Sequence, residues 1–95
     1  MMRYIWDERK RRVNIRKHGI DFEDATRIFD GPTLEKEDAR QDYSEIRIYA
    51  IGIMVDVLVT VIYTERGDDE RHIISAWKAE PHEQRAYYRE VHGRP

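Results

Sequence analysis

The stretch Val55-Asp-Val-Leu-Val-Thr-Val-Ile-Tyr63 decides the fold. Val55, Val57, Val59, Val61 and Tyr63 recur at period two, and Leu58 and Ile62 make the opposite face half apolar as well. β-Branched residues at that period read as a strand, and apolar character on both faces places it centrally in a sheet. Upstream, Ile46, Ile48 and Ala50 alternate with Arg47 and Tyr49 up to Gly52, which predicts a second strand. Downstream, Gly67-Asp68-Asp69 is turn chemistry. Arg71–Trp77 then reads as a strand with Arg71, Ile73, Ser75 and Trp77 on one face and His72, Ile74 and Ala76 on the other. Thr33–Asp38 fits an edge strand whose alternating charges deter pairing with other chains, and Ala39–Tyr43 is a polar loop.

The flanks are helical. Met1–Trp6 predicts a short first strand. Asp7 is a good N-cap, Glu8 suits the positive end of a helix, and the helix should stop near His18 at Gly19. Asp21 is a second N-cap, followed by Phe22, Ala25, Ile28 and Phe29 at helical spacing up to Gly31-Pro32. Pro81 suits the first turn of a final helix carrying Ala86, Tyr87 and Val91. The expected class is α+β: an N-terminal strand and two helices, then an antiparallel sheet of three to four strands and a C-terminal helix. The helices are expected to pack on one sheet face. A length of 95 residues predicts a single domain over 1–95.

Composition narrows the chemistry. The chain has no cysteine, which removes disulfides, thiolate zinc sites and cysteine nucleophiles. No apolar run approaches the ~20 residues needed to span a bilayer, and no secretory signal is evident, so a soluble, cytoplasmic protein without membrane contact is expected. His18, His72, His82 and His92 show no metal-ligand spacing, and there is no phosphate loop, nucleophile elbow or dinucleotide fingerprint. No metal and no cofactor are therefore expected. The net charge is only −2, yet residues 1–20 carry seven Lys/Arg against two Asp/Glu, and residues 21–45 carry three against nine. That pattern allows a local phosphate-binding patch without bulk coating of nucleic acid.

The cations that could converge are Lys17, His18, Arg47, Arg66 and Arg71. A short turn should bring Arg66 and Arg71 together, and Arg47 and Arg71 could share a sheet face. Metal-free RNA cleavage needs little more: a 2′-hydroxyl must lose a proton, the phosphate must have its added charge stabilised, and the 5′-oxygen must gain a proton. Arginine forks suit the phosphate, and a histidine or carboxylate can move the protons. The same arginines also read as solvated strand ends and salt-bridge partners, and His18 as a helix C-terminal residue facing free carbonyls. Trp77 reads either as a core aromatic under the last helix or as a stacking platform for a base. Glu83 and Tyr87 read as a helix face packed on the sheet.

Trp6-Asp7, Asn14, Lys17-His18-Gly19, Phe22, Ala25 and Phe29, then Glu45, Arg47, Gly52, Tyr63, Arg66, Arg71, Ile74-Ser75-Ala76, Ala79, Glu83 and Tyr87 follow in an order that resembles the BrnT family of bacterial type II toxins. The resemblance implies a RelE-like fold and a metal-independent ribonuclease toxin that halts translation by cutting RNA. It also implies a BrnA-like antitoxin in a hetero-oligomer, with operator DNA contacted only through that antitoxin. The family's cationic set falls on Lys17, His18, Arg47, Arg66 and Arg71. Arg66 and Arg71 would bind the phosphate, while Lys17 and His18 would contact the backbone or transfer protons.

One position departs from the family. Where the family usually reads Ile-Ser-Ala-Arg, this chain reads Ile74-Ser75-Ala76-Trp77, which makes Trp77 and the neighbouring Lys78 an RNA-binding or altered site. The tryptophan implies a naturally weakened enzyme or one that stacks a base there. It is also the kind of attenuating change selected when a toxic gene is propagated without its antidote. Two other functions fit the sequence: an attenuated antitoxin-binding module acting mainly in the repressor complex, with the Glu35–Glu45 stretch and the charged first helix as partner surfaces, and a generic RNA-binding domain without cleavage.

Overall fold

The computed structural model describes residues 1–39, 44–91 and 93. Most of the loop expected over Ala39–Tyr43, along with His92, lies outside the described residues. The elements run β1 (Arg3–Ile5), α1 (Glu8–His18), α2 (Phe22–Ala25), a 3-10 helix (Thr26–Asp30), β2 (Leu34–Glu37), β3 (Ile48–Met54), β4 (Val57–Arg66), β5 (Glu70–Lys78) and α3 (Pro81–Val91). They form an α+β arrangement around a five-stranded sheet of order β1-β5-β4-β3-β2. Four strands are antiparallel neighbours, as the sequence predicts. β1 joins β5 in parallel, so the sheet is mixed and one strand larger than the antiparallel set.

Local chemistry explains the boundaries. Asp7 accepts from the backbone N–H groups of Arg9 at 2.7 Å and Lys10 at 3.3 Å, capping α1. Gly19 ends that helix at φ 73°, a left-handed conformation that glycine adopts without penalty. The Phe22–Phe29 stripe is helical but tightens from α2 into the 3-10 segment, which brings Ile28 against β3. Gly52 lies under that contact, where an added Cβ would come within 2.8 Å of the Ile28 Cβ.

The helices occupy both sheet faces, correcting the expectation of one. Ile20, Phe22, Ala25 and Ile28 pack with Ala50, Val59, Val61, Tyr63, Ile73 and Ala76. Ile51 and Leu58, neighbours of Ala50 and Val59 in their strands and so on the opposite face, pack with Ala79 and Tyr87. The reason is the second apolar face of β4: Leu58, Thr60 and Ile62 are all buried, and α3 covers part of that face.

β5 contains the largest departure from the sequence reading. Ile62 pairs with Ser75 but Tyr63 pairs with Ile73, leaving Ile74 as a bulge. The extra residue breaks the alternation, so Arg71, Ile73 and Ala76 share the α2 side, while His72, Ser75 and Trp77 share the α3 side. Arg71 and Trp77 are therefore on opposite faces.

Past the end of β1, α1 takes over the edge of β5. The buried Asn14 amide donates to the Ile20 and Ala76 carbonyls, both at 2.8 Å, and its Oδ1 accepts from the Ala76 N–H at 3.1 Å. The side chain thus pairs with one residue of β5 on both its polar groups, as a neighbouring strand would. Asn14→Ala leaves these buried groups without partners and should lower unfolding stability by about 2–4 kcal/mol, read by urea denaturation. A loss within the range of ordinary surface substitutions would show that water replaces the amide.

Candidate active site

Two depressions adjoin on the open part of the α3 side, between α1 and the ends of the strands. The larger, about 420 Å³, is lined by α1 residues Lys10, Val13, Asn14, Lys17 and His18 and by Ile74 and Ser75 of β5. The smaller, about 130 Å³, is lined by Trp6, Glu45, Arg47, Thr64, Arg66 and His72 among others. Asp7, Lys10 and Ile74 belong to both, so they form one cleft.

The sheet register explains which side chains gather there. Arg66 pairs with Glu70 and Thr64 with His72 across β4 and β5. Extending the β3–β4 register one residue beyond Ile48↔Tyr63 sets Arg47 opposite Thr64. Lys17 and His18 arrive from the last turn of α1, held against β5 by Asn14. A second tie reinforces this placement: the Arg11 guanidinium forms a two-pronged bond to the Asp21 carboxylate, at 2.8 and 2.9 Å. Hydrogen bonding to Arg11 holds the Asp21 carboxyl below its ordinary range. Asp7, at the junction of the two depressions, is also held low by the backbone N–H groups it accepts from, so with Glu45 the cleft keeps carboxylates among its cations.

Lys17, His18, Arg47 and Arg66 are thus brought to a single cleft. Arg71 is not among them. It pairs with Glu65 rather than lying beside Arg66, and its guanidinium carbon sits 4.7 Å from the Phe29 ring centroid and 4.8 Å from that of Tyr63. Its buried Nε has no hydrogen-bond partner among the described residues. This geometry is a cation–π packing contact on the α2 side. Sequence reasoning passed over Lys10 and His72. The signal for Lys10 was its position seven residues, two turns, before Lys17 on one helix face; nothing in the spacing signalled His72, because the bulge reverses its side.

Residues 6–83 match the family described as the ribonuclease toxin, BrnT, of type II toxin–antitoxin systems. The chain belongs to the BrnT family. The crystal structure of the ribonuclease toxin BrnT of Brucella abortus is similar to it, with 31% sequence identity and a TM-score of 0.63. That match covers 84% of this chain and 99% of the Brucella chain. Among curated protein sequences, none matches. Membership makes the protein a type II toxin of ribonuclease class, whose partner is a protein antitoxin. No helix among the described residues is long and apolar enough to cross a membrane.

Against the BrnT background, Trp77 has a structural role of its own. Its indole N–H donates to Glu83 Oε1 at 3.1 Å. Glu83 is 3% exposed and also accepts from the Tyr49 hydroxyl, from Thr60 Oγ1 at 3.1 Å and from the Glu80 N–H at 2.7 Å. The last bond satisfies the N–H of the residue that precedes α3 and so helps start that helix. The His18 ring neighbours the indole, with ring centroids 6.1 Å apart. Lys78, one residue on, is exposed, and the strand alternation turns it to the opposite face from Trp77.

Burial pushes the Glu83 carboxyl up, but the bonds from Tyr49, Glu80, Trp77 and Thr60 outweigh it and hold the group below its ordinary value. A depressed folded-state pKa stabilises the fold above the unfolded value of 4.5, and that contribution disappears as pH falls through the lower folded value. Glu83→Gln should therefore destabilise the protein at pH 7 and flatten the loss of stability below about pH 4.5. Thermal melts of both proteins from pH 3 to 7 check this; parallel curves would remove Glu83 from the acid transition.

Proposed function

We propose that this chain is a metal-independent endoribonuclease that cuts RNA and thereby inhibits translation in the cytoplasm. A BrnA-like antitoxin would neutralise it in a hetero-oligomer and carry the contact with operator DNA. In this reading residues 1–95 act as one RelE-like domain. The observation that carries it is the gathering of Lys10, Lys17, His18, Arg47 and Arg66 around one cleft of a chain whose net charge is −2. Local cationic density without global charge suits recognition of a few phosphates at a reaction centre.

The chemistry follows from the donors. Arg47 and Arg66 present guanidinium forks to the phosphate and meet the negative charge added when a 2′-oxygen attacks it. Lys10 and Lys17 track the flanking backbone as point charges. The larger depression, with Val13 and Ile74 among its polar residues, offers an apolar surface to a nucleobase. Trp77 supports the cleft from beneath α3 through Glu83. An arginine at this position would meet the same carboxylate as a donor, so this reading takes the tryptophan as compatible with activity.

Cleavage of end-labelled RNA in EDTA tests the reading. The chain as given should cut, and Trp77→Arg should cut comparably. Arg66→Ala should lose about 10²–10³ in rate, by analogy with removal of one transition-state donor. Arg71→Ala should instead lower the melting temperature while the folded fraction still cleaves. Absence of cleavage, or an unaltered rate in Arg66→Ala, would overturn the proposal.

A further inference from the structure

We propose that His72 is the proton-transfer residue of this cleft, oriented by Glu70, which is itself held by Arg3. The inference rests on the ribonuclease reading above and adds the group that moves the proton.

Three observations converge on it. The Ile74 bulge turns His72 to the cleft side, where it lines the smaller depression with Arg47 and Arg66. Its Nε2 lies 3.1 Å from Glu70 Oε1, and the other oxygen of that carboxylate is bonded by Arg3 of β1. The imidazole is also partly open, with 29% of its side chain exposed. A catalytic base needs this combination: a partner that fixes the ring and stabilises the imidazolium, and access for the substrate.

The other cleft groups suit the role less well. Arginine does not give up its proton in proteins, so Arg47 and Arg66 can bind but not shuttle. His18 stands in the larger depression, exposed at a helix end and beside the Trp77 ring, with no carboxylate hydrogen-bonded to it among the described residues. Imidazole exchanges protons between about pH 5 and 8, the range in which a base must work. The charged groups facing His72 are Glu70 on its own strand, Arg66 on β4, Arg47 and Glu45 before β3, and Asp7 and Lys10 at the start of α1.

With the Nε2 proton directed to Glu70, Nδ1 carries the lone pair. Nδ1 takes the proton of the 2′-hydroxyl as the O2′–P bond forms and the P–O5′ bond breaks. The departing 5′-oxygen takes a proton from water, and the imidazolium returns its own to the hydroxide left behind. The products are a 2′,3′-cyclic phosphate and a 5′-hydroxyl, with no change of oxidation state.

The test uses an oligonucleotide with one cleavable ribonucleotide, in EDTA, across pH 5 to 8. The full chain should show a rate that rises with pH along a limb of unit slope. His72→Gln should lose about 10²–10⁴ in rate and that limb with it. Glu70→Gln should lose less and keep the limb, because the imidazole remains and only its orienting carboxylate is replaced. His18→Gln should slow cleavage through weaker RNA binding and leave the limb in place. Free imidazole in the buffer should restore part of the rate to His72→Ala, which a merely structural histidine would not allow. If folded His72→Gln keeps the parent rate and limb, or His72→Ala gains nothing from imidazole, His72 is not the base. Silence of the parent chain at every pH would instead bring down the ribonuclease reading, and this assignment with it.

Discussion

The Asn14 amide is the contact on which the arrangement of the cleft depends. β1 covers only the first part of the β5 edge, and beyond it the Ala76 N–H and C=O would face the flank of a helix that has no backbone groups to offer. Asn14 supplies both a donor and an acceptor from one rigid group and also binds the Ile20 carbonyl just past the helix. Three segments are tied at a single side chain. Because α1 has only Val13 and Ile15 as aliphatics, and these are 44% and 37% exposed, apolar packing alone could not fix its position. Polar pairing does so and leaves the basic face of the helix free to form one wall of the cleft.

The division of labour between the sheet faces follows from this. One side is closed by α2 and the 3-10 helix over an apolar core, with Arg71 layered on aromatic rings at its margin. The other is closed only in part, by α3, and the join sets beside the Ile51, Leu58, Ala79 and Tyr87 cluster a buried carboxylate with donors from β3, β4, β5 and its own helix start. Such a group is costly to bury alone and stable when fully hydrogen-bonded. Glu83 therefore defines how far α3 extends across the sheet, and the uncovered remainder is where Arg47, Arg66 and His72 stand.

Much of the architecture was legible in the residues. Asp7 and Gly19 marked the ends of α1 because capping is a local matter of side-chain reach and backbone conformation. The charged Thr33–Asp38 segment read as an edge strand, which the structure forms over Leu34–Glu37, and β4 read as the centre. Four of the five expected site cations meet in the cleft because strand ends and a helix terminus placed them at one end of the sheet. Arg71 was misplaced because period-two alternation holds only while no residue is added to the ladder, and a bulge at an isoleucine between two other apolar residues leaves no compositional mark. The side taken by α3 was likewise hidden, since Leu58 and Ile62 announce burial without saying what provides it. Trp77 kept two readings until Glu83 could be seen as its partner.

The bulge at Ile74 also bears on chain length. Between Ser75 and Ile73 the sheet accommodates one residue that contributes nothing to the pairing, and the pleat resumes as though it were absent. A regular strand of the same length would present its first four residues inside out, with Arg71 turned to the cleft and His72 against the aromatic rings. A strand one residue shorter would reach the observed arrangement without any bulge. Ile74 thus works as a length adaptor: the sheet absorbs a surplus residue at one point, and the two faces upstream keep their identities.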